Sequence, residues 1–151
     1  MPIPRGIRNN NPGNLDFVRS SYDRDPWIGE TGLEIREGKA CRFTTFDTAE
    51  HGIRALAKTL LTYCRLRRAA DGTPIDTVQE IIDRWAPPHE NDTDAYAKHV
   101  RDLLNIEKGG EINIEDPATL AILVESIIRH ENGCQPYSED VIRLGVGLAL
   151  A

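Results

Sequence analysis

The chain has 151 residues, of which 40% are hydrophobic, 28% charged and 6% aromatic, and its formal net charge at pH 7 is −6. This size and composition predict one globular domain over residues 1–151, and the lack of a long apolar stretch argues against membrane insertion. The acidic balance argues against nucleic acid as a partner, since nucleic-acid-binding proteins carry a basic excess; we interpret the basic cluster Arg65, Arg67 and Arg68 as a solvated helix end.

The N-terminal third is predicted to be irregular and then β-structured. Residues 1–20 are polar and turn-rich, and Arg8–Asn14 is incompatible with a regular helix because Asn, Pro and Gly compete with helical geometry. Residues 21–46 carry Trp27, scattered glycines and the alternating run Arg42–Phe46. This pattern predicts one or two short hairpins.

Two amphipathic helices are predicted next. The first opens at the capping box Asp47–Glu50 and buries apolar residues from Ile53 to Cys64. The second covers about residues 76–85 and is ended by Pro87-Pro88.

The C-terminal half adds further helices. One is capped within Asn91–Asp94 and has Tyr96, Val100, Leu103 and Leu104 on its apolar side. Another starts at Asp116-Pro117, and a last one opens at Ser138. The expected fold is mostly helical α+β, lysozyme-like, with four to five helices and a small N-terminal β-hairpin region.

Glu131 is the most informative residue, because it continues an apolar helical face instead of a polar one. It lies seven residues after Val124, four after Ile127 and three after Ile128. Asn132-Gly133 is a helix stop signal, so the carboxylate is expected on the last turn. Burial and the negative end of the helix dipole both favour its protonated form, as a general acid requires. The alternative is a glutamate that turns back to solvent.

Three other segments carry side chains suited to sugar binding. They are an Asn-rich turn, a hairpin in which a Trp lies beside carboxylates, and a helix entry flanked by aromatic residues: Asn9–Asn14, Trp27–Glu34 and Trp85–Tyr96. Each also has a purely structural interpretation, namely a tight turn, an ordinary hairpin with a packed Trp, and a helix cap beside core aromatics.

The cysteine and histidine patterns indicate neither a metal site nor a disulfide framework. Cys41, Cys64 and Cys134 are odd in number and widely spaced, which predicts free thiols. The histidines lack a metal-binding spacing, and no metal or cofactor is expected: His51, His89, His99 and His130. A Cys134 nucleophile would be a peptidase alternative, but no further motif supports it.

Four stretches form an ordered series: Asn9–Asn14, Trp27-Ile-Gly29, Phe43–Glu50 and Asn91–Tyr96. In this order they resemble the Asn-Asn turn, Trp-x-Gly hairpin, Phe-led helix entry and Thr-Asp-containing helix entry of peptidoglycan N-acetylglucosaminidases in the lysozyme-like superfamily. The resemblance implies a lysozyme-like domain whose partner is bacterial peptidoglycan.

A second resemblance spans nearly the whole chain. Gly6–Asn14 reads Gly-Ile-Arg-Asn-Asn-Asn-Pro-Gly-Asn, Gly52–Ala55 reads Gly-Ile-Arg-Ala, and Trp85–Pro88 reads Trp-Ala-Pro-Pro. These motifs are similar to those of small proteins of tailed phages and prophages that are often called virion or structural proteins. The resemblance implies a phage or prophage origin, with virion components as further partners.

The order of one element differs from that of the glucosaminidases. There the acid-bearing helix precedes the Asn-rich turn, whereas no such helix is predicted before residue 9 here. We hypothesise a circular permutation that moves the acid helix to the C-terminus, which is tolerable because domain termini often lie close together. The resemblance then makes Glu131 the acid and Glu30, with Glu34 next, the second carboxylate. Five residues are candidates for substrate binding: Asn11, Asn14, Trp27, Trp85 and Tyr96.

The expected function is therefore cleavage of peptidoglycan glycan strands. The start of the chain lacks a signal peptide, so we expect synthesis in the bacterial cytoplasm and action in the periplasm or cell wall, or transport in a virion. Two alternatives are not enzymes: a virion structural protein that keeps the shape without the chemistry, and a wall-binding module that holds glycan uncut.

Overall fold

A computed structural model describes residues 2–18, 25–88 and 92–151. It shows the expected mostly helical α+β architecture, with one two-stranded antiparallel sheet in the described part of the chain. The chain divides into two compact units, residues 1–57 with 124–151 and residues 58–123; a single domain over the whole chain stays a prediction. Parts of the predicted motifs lie outside the described residues: His89, Asn91 and the beginning of the hairpin region at 21–24.

The sheet of the first unit is a hairpin of β1 (Glu30–Arg36) and β2 (Lys39–Phe46). Glu37 and Gly38 join the strands with φ angles of 52° and 75°. Two successive left-handed residues match the right-handed twist of the strands, and glycine takes this geometry without steric cost. The predicted hairpin is thereby confirmed in the described range.

The chain before the hairpin lies along the other edge of β2. The Thr44 N–H donates to the Leu15 carbonyl at 3.0 Å and the Phe46 N–H donates to the Asn9 carbonyl at 2.9 Å. This segment also contains one turn of helix, α1 (Arg5–Arg8), where the sequence predicted irregular chain. The turn is too short for a hydrophobic periodicity to indicate it.

Helix α2 (Ala49–Leu66) begins one residue later than the predicted capping box implies. The hydroxyl of Thr48 accepts a hydrogen bond from the His51 N–H at 3.2 Å, so Thr48 has the capping role expected of Asp47. Asp47 is engaged otherwise, because its N–H donates to the Gly29 carbonyl at 2.9 Å and its carboxylate pairs with the His51 ring.

The two C-terminal helices begin where the sequence predicts. Helix α5 (Pro117–Asn132) follows Asp116, whose carboxylate accepts from a first-turn N–H at 3.1 Å. Gly133, with φ of 71°, closes the helix end. Helix α6 (Glu139–Leu150) is capped by Ser138.

The second unit contains α3 (Val78–Trp85), which packs against α4 (Thr93–Leu104). A reciprocal capping box between Thr77 and Glu80 opens α3, and the Asp92 side chain caps α4. Both starts lie in the segments that the sequence indicated.

The end of α4 contradicts one core assignment. Leu103 was expected on the apolar face, but it is 53% exposed, so this prediction is wrong. The buried face of α4 is made by earlier residues, and the helix ends at Asn105 in a left-handed conformation. In the last turn Leu104 is half-buried, so the covered face of α4 is narrower than the predicted apolar side.

Each unit has an apolar core. That of the first unit includes Phe46, Ile53, Leu56, Val124, Ile127, Ile128, Ile142 and Val146. That of the second includes Leu60, Leu61, Ile75, Val78, Ile81, Ile82, Val100, Leu120 and Leu123. Within the described residues, no helix is both long and apolar enough to cross a membrane.

Candidate functional site

Glu131 lies on the last turn of α5, half-buried, as its spacing predicts. Its Oε2 atom accepts a hydrogen bond from Nδ2 of Asn14 at 3.2 Å, although 117 residues separate the two in sequence. Asn14 adopts a left-handed backbone with φ of 49°, which asparagine tolerates better than most residues. The Asn-rich turn and the carboxylate at the helix end thus form one local site.

The residue after Glu131 fastens the helix end to the same turn. Nδ2 of Asn132 donates to the Pro12 carbonyl at 2.8 Å and to the Ile128 carbonyl at 2.9 Å. Buried Gly6 of α1 lies between these groups, since a Cβ there would come 2.5 Å from Oδ1 of Asn132 and 3.0 Å from Oδ1 of Asn14. A residue without a side chain is therefore needed at position 6.

Two buried acceptors in this site lack a hydrogen-bond donor among the described residues. They are the Oδ1 atoms of Asn14 and Asn132, which flank Gly6. An unsatisfied buried acceptor costs about 1–3 kcal/mol. Such costs concentrate at functional sites, where local stability is given up for chemistry.

Asn11, a predicted substrate contact, is completely buried. Its Nδ2 donates to the carbonyls of Leu15 and Thr44 at 3.0 and 2.9 Å, and its Oδ1 accepts from the Leu15 N–H at 3.0 Å. These bonds fasten the Asn-rich turn to β2. The structure therefore gives Asn11 a scaffolding position, and Asn14 is the turn residue that reaches Glu131.

Glu30, one of the hairpin candidates, is the first residue of β1, and Trp27, the other, precedes the strand by three residues. Both are half-buried, and the Glu30 N–H donates to the Trp27 carbonyl at 3.0 Å. Glu30 pairs with Phe46 of β2, and Phe46 is also bonded through its N–H to Asn9. Glu30 is thus paired with the strand whose other edge is hydrogen-bonded to the Asn-rich turn.

Glu34 occupies a buried ion-pair cluster. It is 3% exposed, and its Oε2 accepts from Arg8 at 3.1 Å and from Asn9 at 3.0 Å. Nε of Arg5 lies 3.3 Å from its Oε1. Burial alone would raise the pKa of Glu34, but the hydrogen bonds from Asn9 and Arg8 and the charges of both arginines outweigh it and lower the pKa. The cluster holds α1 and the Asn-rich turn on the hairpin, and it engages the carboxylate that the sequence offered as a second-choice catalytic group.

Glu34→Gln should destabilise the protein by about 1–2 kcal/mol at pH 7, because the amide keeps the shape and loses the charge that the arginines pair with. A lowered native pKa stabilises the fold above the ordinary glutamate value of about 4.3, and this stabilisation is lost as the pH falls through the native value. The difference between the two proteins should therefore shrink in acid. Urea unfolding of the wild type and Glu34→Gln at pH 7 and pH 3 measures this difference in the free energy of unfolding.

Glu37→Gln, in the exposed hairpin turn, is the matched control and should change stability little at either pH. An equal loss in both variants, or a Glu34→Gln deficit that persists unchanged in acid, would contradict the role given to the cluster.

The structure also reveals an Asp–His pair beyond the site residues predicted from the sequence. Nδ1 of His51 lies 2.6 Å from Oδ1 of Asp47, and this hydrogen bond lowers the pKa of the Asp47 carboxyl. A Cβ at Gly29 would overlap both side chains, so glycine lets the turn after Trp27 lie against the pair. The spacing of four residues at a helix start was the available signal.

The remaining aromatic candidates belong to the second unit. Trp85 ends α3 and is half-buried, while Tyr96 is 8% exposed and part of the core of that unit. Tyr96 thus has the position of a supporting residue. Across residues 2–18, 25–88 and 92–151, no group of three or more His, Cys, Asp or Glu residues is arranged to hold a metal ion.

Comparison with known proteins places this chain in a family of bacteriophage proteins. It belongs to the family of protein P5 of Pseudoalteromonas phage PM2, with 36% identity over 141 residues, 93% of this chain and 79% of P5. No family model matches the chain. The predicted phage kinship is thereby confirmed, and the lysozyme-like relationship stays a prediction.

Proposed function

We infer that this protein is a phage-encoded enzyme that cleaves the glycan strand of bacterial peptidoglycan, with Glu131 as the general acid. The observation that carries the proposal is the hydrogen bond between Asn14 and Glu131. It joins the two parts that the lysozyme-like resemblance requires, a carboxyl group at a helix end and an Asn-rich turn.

The arrangement suits acid catalysis at a glycosidic oxygen. A half-buried carboxyl group on the last turn of α5 is shielded on the side of the core, and Asn14 fixes the orientation of the group through Oε2. A proton donor held in one orientation contributes to leaving-group departure. Glu30 is our candidate for the second carboxylate, because Glu34 is already engaged with Arg5 and Arg8.

The topology supports a permuted lysozyme-like arrangement. The long helix that bears the candidate acid, α5, follows the Asn-rich turn in the chain. The contact of Asn132 with Pro12 joins the early and late segments. The end of the candidate acid helix therefore lies beside the Asn-rich turn although the helix follows the turn in sequence.

The test is digestion of purified sacculi by the wild type and by Glu131→Gln, with soluble products identified by mass spectrometry. Release by the wild type and not by the folded variant would establish the enzyme and its acid, and the product masses would identify the bond. Equal release by both would refute the role of Glu131.

A second candidate is a virion component without catalytic activity, and the kinship with a phage protein favours it. This function requires that the wild type release nothing from sacculi and that the protein co-purify with phage particles. A wall-binding module would instead sediment with sacculi and leave them intact. Either result would overturn the enzymatic proposal.

A further inference from the structure

The second unit contains a cavity of about 570 Å³ that the proposed glycan chemistry does not use. It lies between the chain that follows α2, at residues 68–71, and the face of α3 that carries Glu80, Asp83 and Arg84. Its volume is in the range of small-molecule sites, about 300–1,000 Å³. Ile75, which is 2% exposed, contributes an apolar wall together with Ala69 and Pro88.

Two guanidinium groups border the cavity without an ion-pair partner among the described residues, those of Arg68 and Arg84. Arg84 is held in place by an aromatic ring, since its Cζ lies 5.1 Å from the ring centroid of Tyr63. A guanidinium group that lies over an aromatic ring still has N–H donors, which point outward in its own plane, to offer to a carboxylate.

The three carboxylates of the cavity wall are already used as acceptors. Oδ1 of Asp71 takes hydrogen bonds from the hydroxyl and N–H of Thr73 at 2.6 and 3.0 Å. Glu80 serves the capping box of α3, and Oδ1 of Asp83 accepts from Gln79 at 2.9 Å. Their charges remain, however, and they create a negative region next to the two arginines.

This distribution favours a ligand that carries both charges. A doubly charged phosphate would meet two arginines but three carboxylates, so its net electrostatic gain is small. A zwitterion places its carboxylate on the arginines and its ammonium group towards the acids. We propose that the cavity binds a short peptide with a free carboxylate, a free amino group and small apolar side chains, as in an alanine-ended peptide.

The link to the wall rests on the proposed function, because the peptide stems of peptidoglycan have this chemistry. The site itself does not depend on that function. Binding of a peptide here would hold the wall polymer through its stem while another part of the protein acts on the glycan.

The experiment is a titration of the full chain with the dipeptide Ala-Ala, followed by NMR shifts and calorimetry. We expect saturable binding with a Kd of about 1 mM, typical of so small a ligand. Arg68→Gln and Arg84→Gln should each weaken binding about tenfold, since each removes one charge-assisted contact. Arg67→Gln is the matched control, because Arg67 is an exposed neighbour that does not line the cavity.

Modified probes test the two charges separately. N-acetyl-Ala-Ala lacks the ammonium group and Ala-Ala amide lacks the carboxylate, so both should bind more weakly than Ala-Ala. Glu131→Gln should bind Ala-Ala like the wild type, which separates this site from the glycan chemistry. Absence of saturable binding, equal affinity in all three arginine variants, or tighter binding of inorganic phosphate would each overturn the proposal.

Discussion

Gly52→Ala should destabilise the protein by at least about 3 kcal/mol, because the added methyl group has no space. Gly52 is buried in α2, and a Cβ there would overlap the carbonyl oxygen of Asn10 and lie 2.8 Å from its carbonyl carbon. The obstacle is backbone, which cannot rotate away as a side chain can. Either α2 or the Asn-rich turn must shift, and a shift of the turn would also displace Asn14 from Glu131.

Chemical unfolding of the wild type and Gly52→Ala measures the effect, and Gly147→Ala is the matched control. Gly147 lies in α6, where nothing comes within 4 Å of an added Cβ. There alanine should stabilise the helix by about 0.5–1 kcal/mol, since glycine is the poorer helix former. Gly52→Ala with wild-type stability would contradict the close approach of α2 to the carbonyl group of Asn10.

Glu131→Gln should lower the release of soluble glycan fragments by about 10²- to 10⁴-fold, the contribution of a positioned general acid. The amide is nearly isosteric with the carboxylic acid, and its Oε1 can accept the hydrogen bond from Asn14 that the carboxylate accepts now. The fold should therefore be kept while the transferable proton is lost. Initial rates of release from sacculi, at matched protein concentrations, measure the change.

Glu125→Gln is the control for this experiment. Glu125 is on the same helix, six residues earlier and half-buried, but on a different face. It should leave the rate of release near that of the wild type. A loss of the same size in both variants would point to damage of α5 and not to removal of an acid.

Local signals predicted much of the fold. Asp116-Pro117, Ser138 and Gly133 indicate helix ends through chemistry that operates within a few residues, and each marks the observed boundary. The placement of Glu131 on the last turn of α5 followed from helical spacing alone. Its proximity to the Asn-rich turn came from the resemblance, not from any local pattern.

The features that the sequence did not indicate depend on distant partners. Glu34 resembles any strand glutamate until Arg5 and Arg8 lie against it. The side-chain amide of Asn11 could donate and accept hydrogen bonds with a sugar, yet its Nδ2 already donates to the backbone carbonyls of Leu15 and Thr44. Leu103 fits the helical spacing of the apolar residues of α4, yet it is exposed. Helical spacing alone does not indicate which part of an apolar face other residues cover.

The 117-residue separation of Asn14 and Glu131 also bears on how the protein acquires its site during folding. Contacts between distant segments form slowly, because the entropy of closing the intervening chain is lost before the contact stabilises the structure. A chain in which α5 is not yet docked has no assembled pair of turn and acid. Recovery of site chemistry after dilution from denaturant should therefore follow the last kinetic phase of refolding, not the earlier appearance of helical signal.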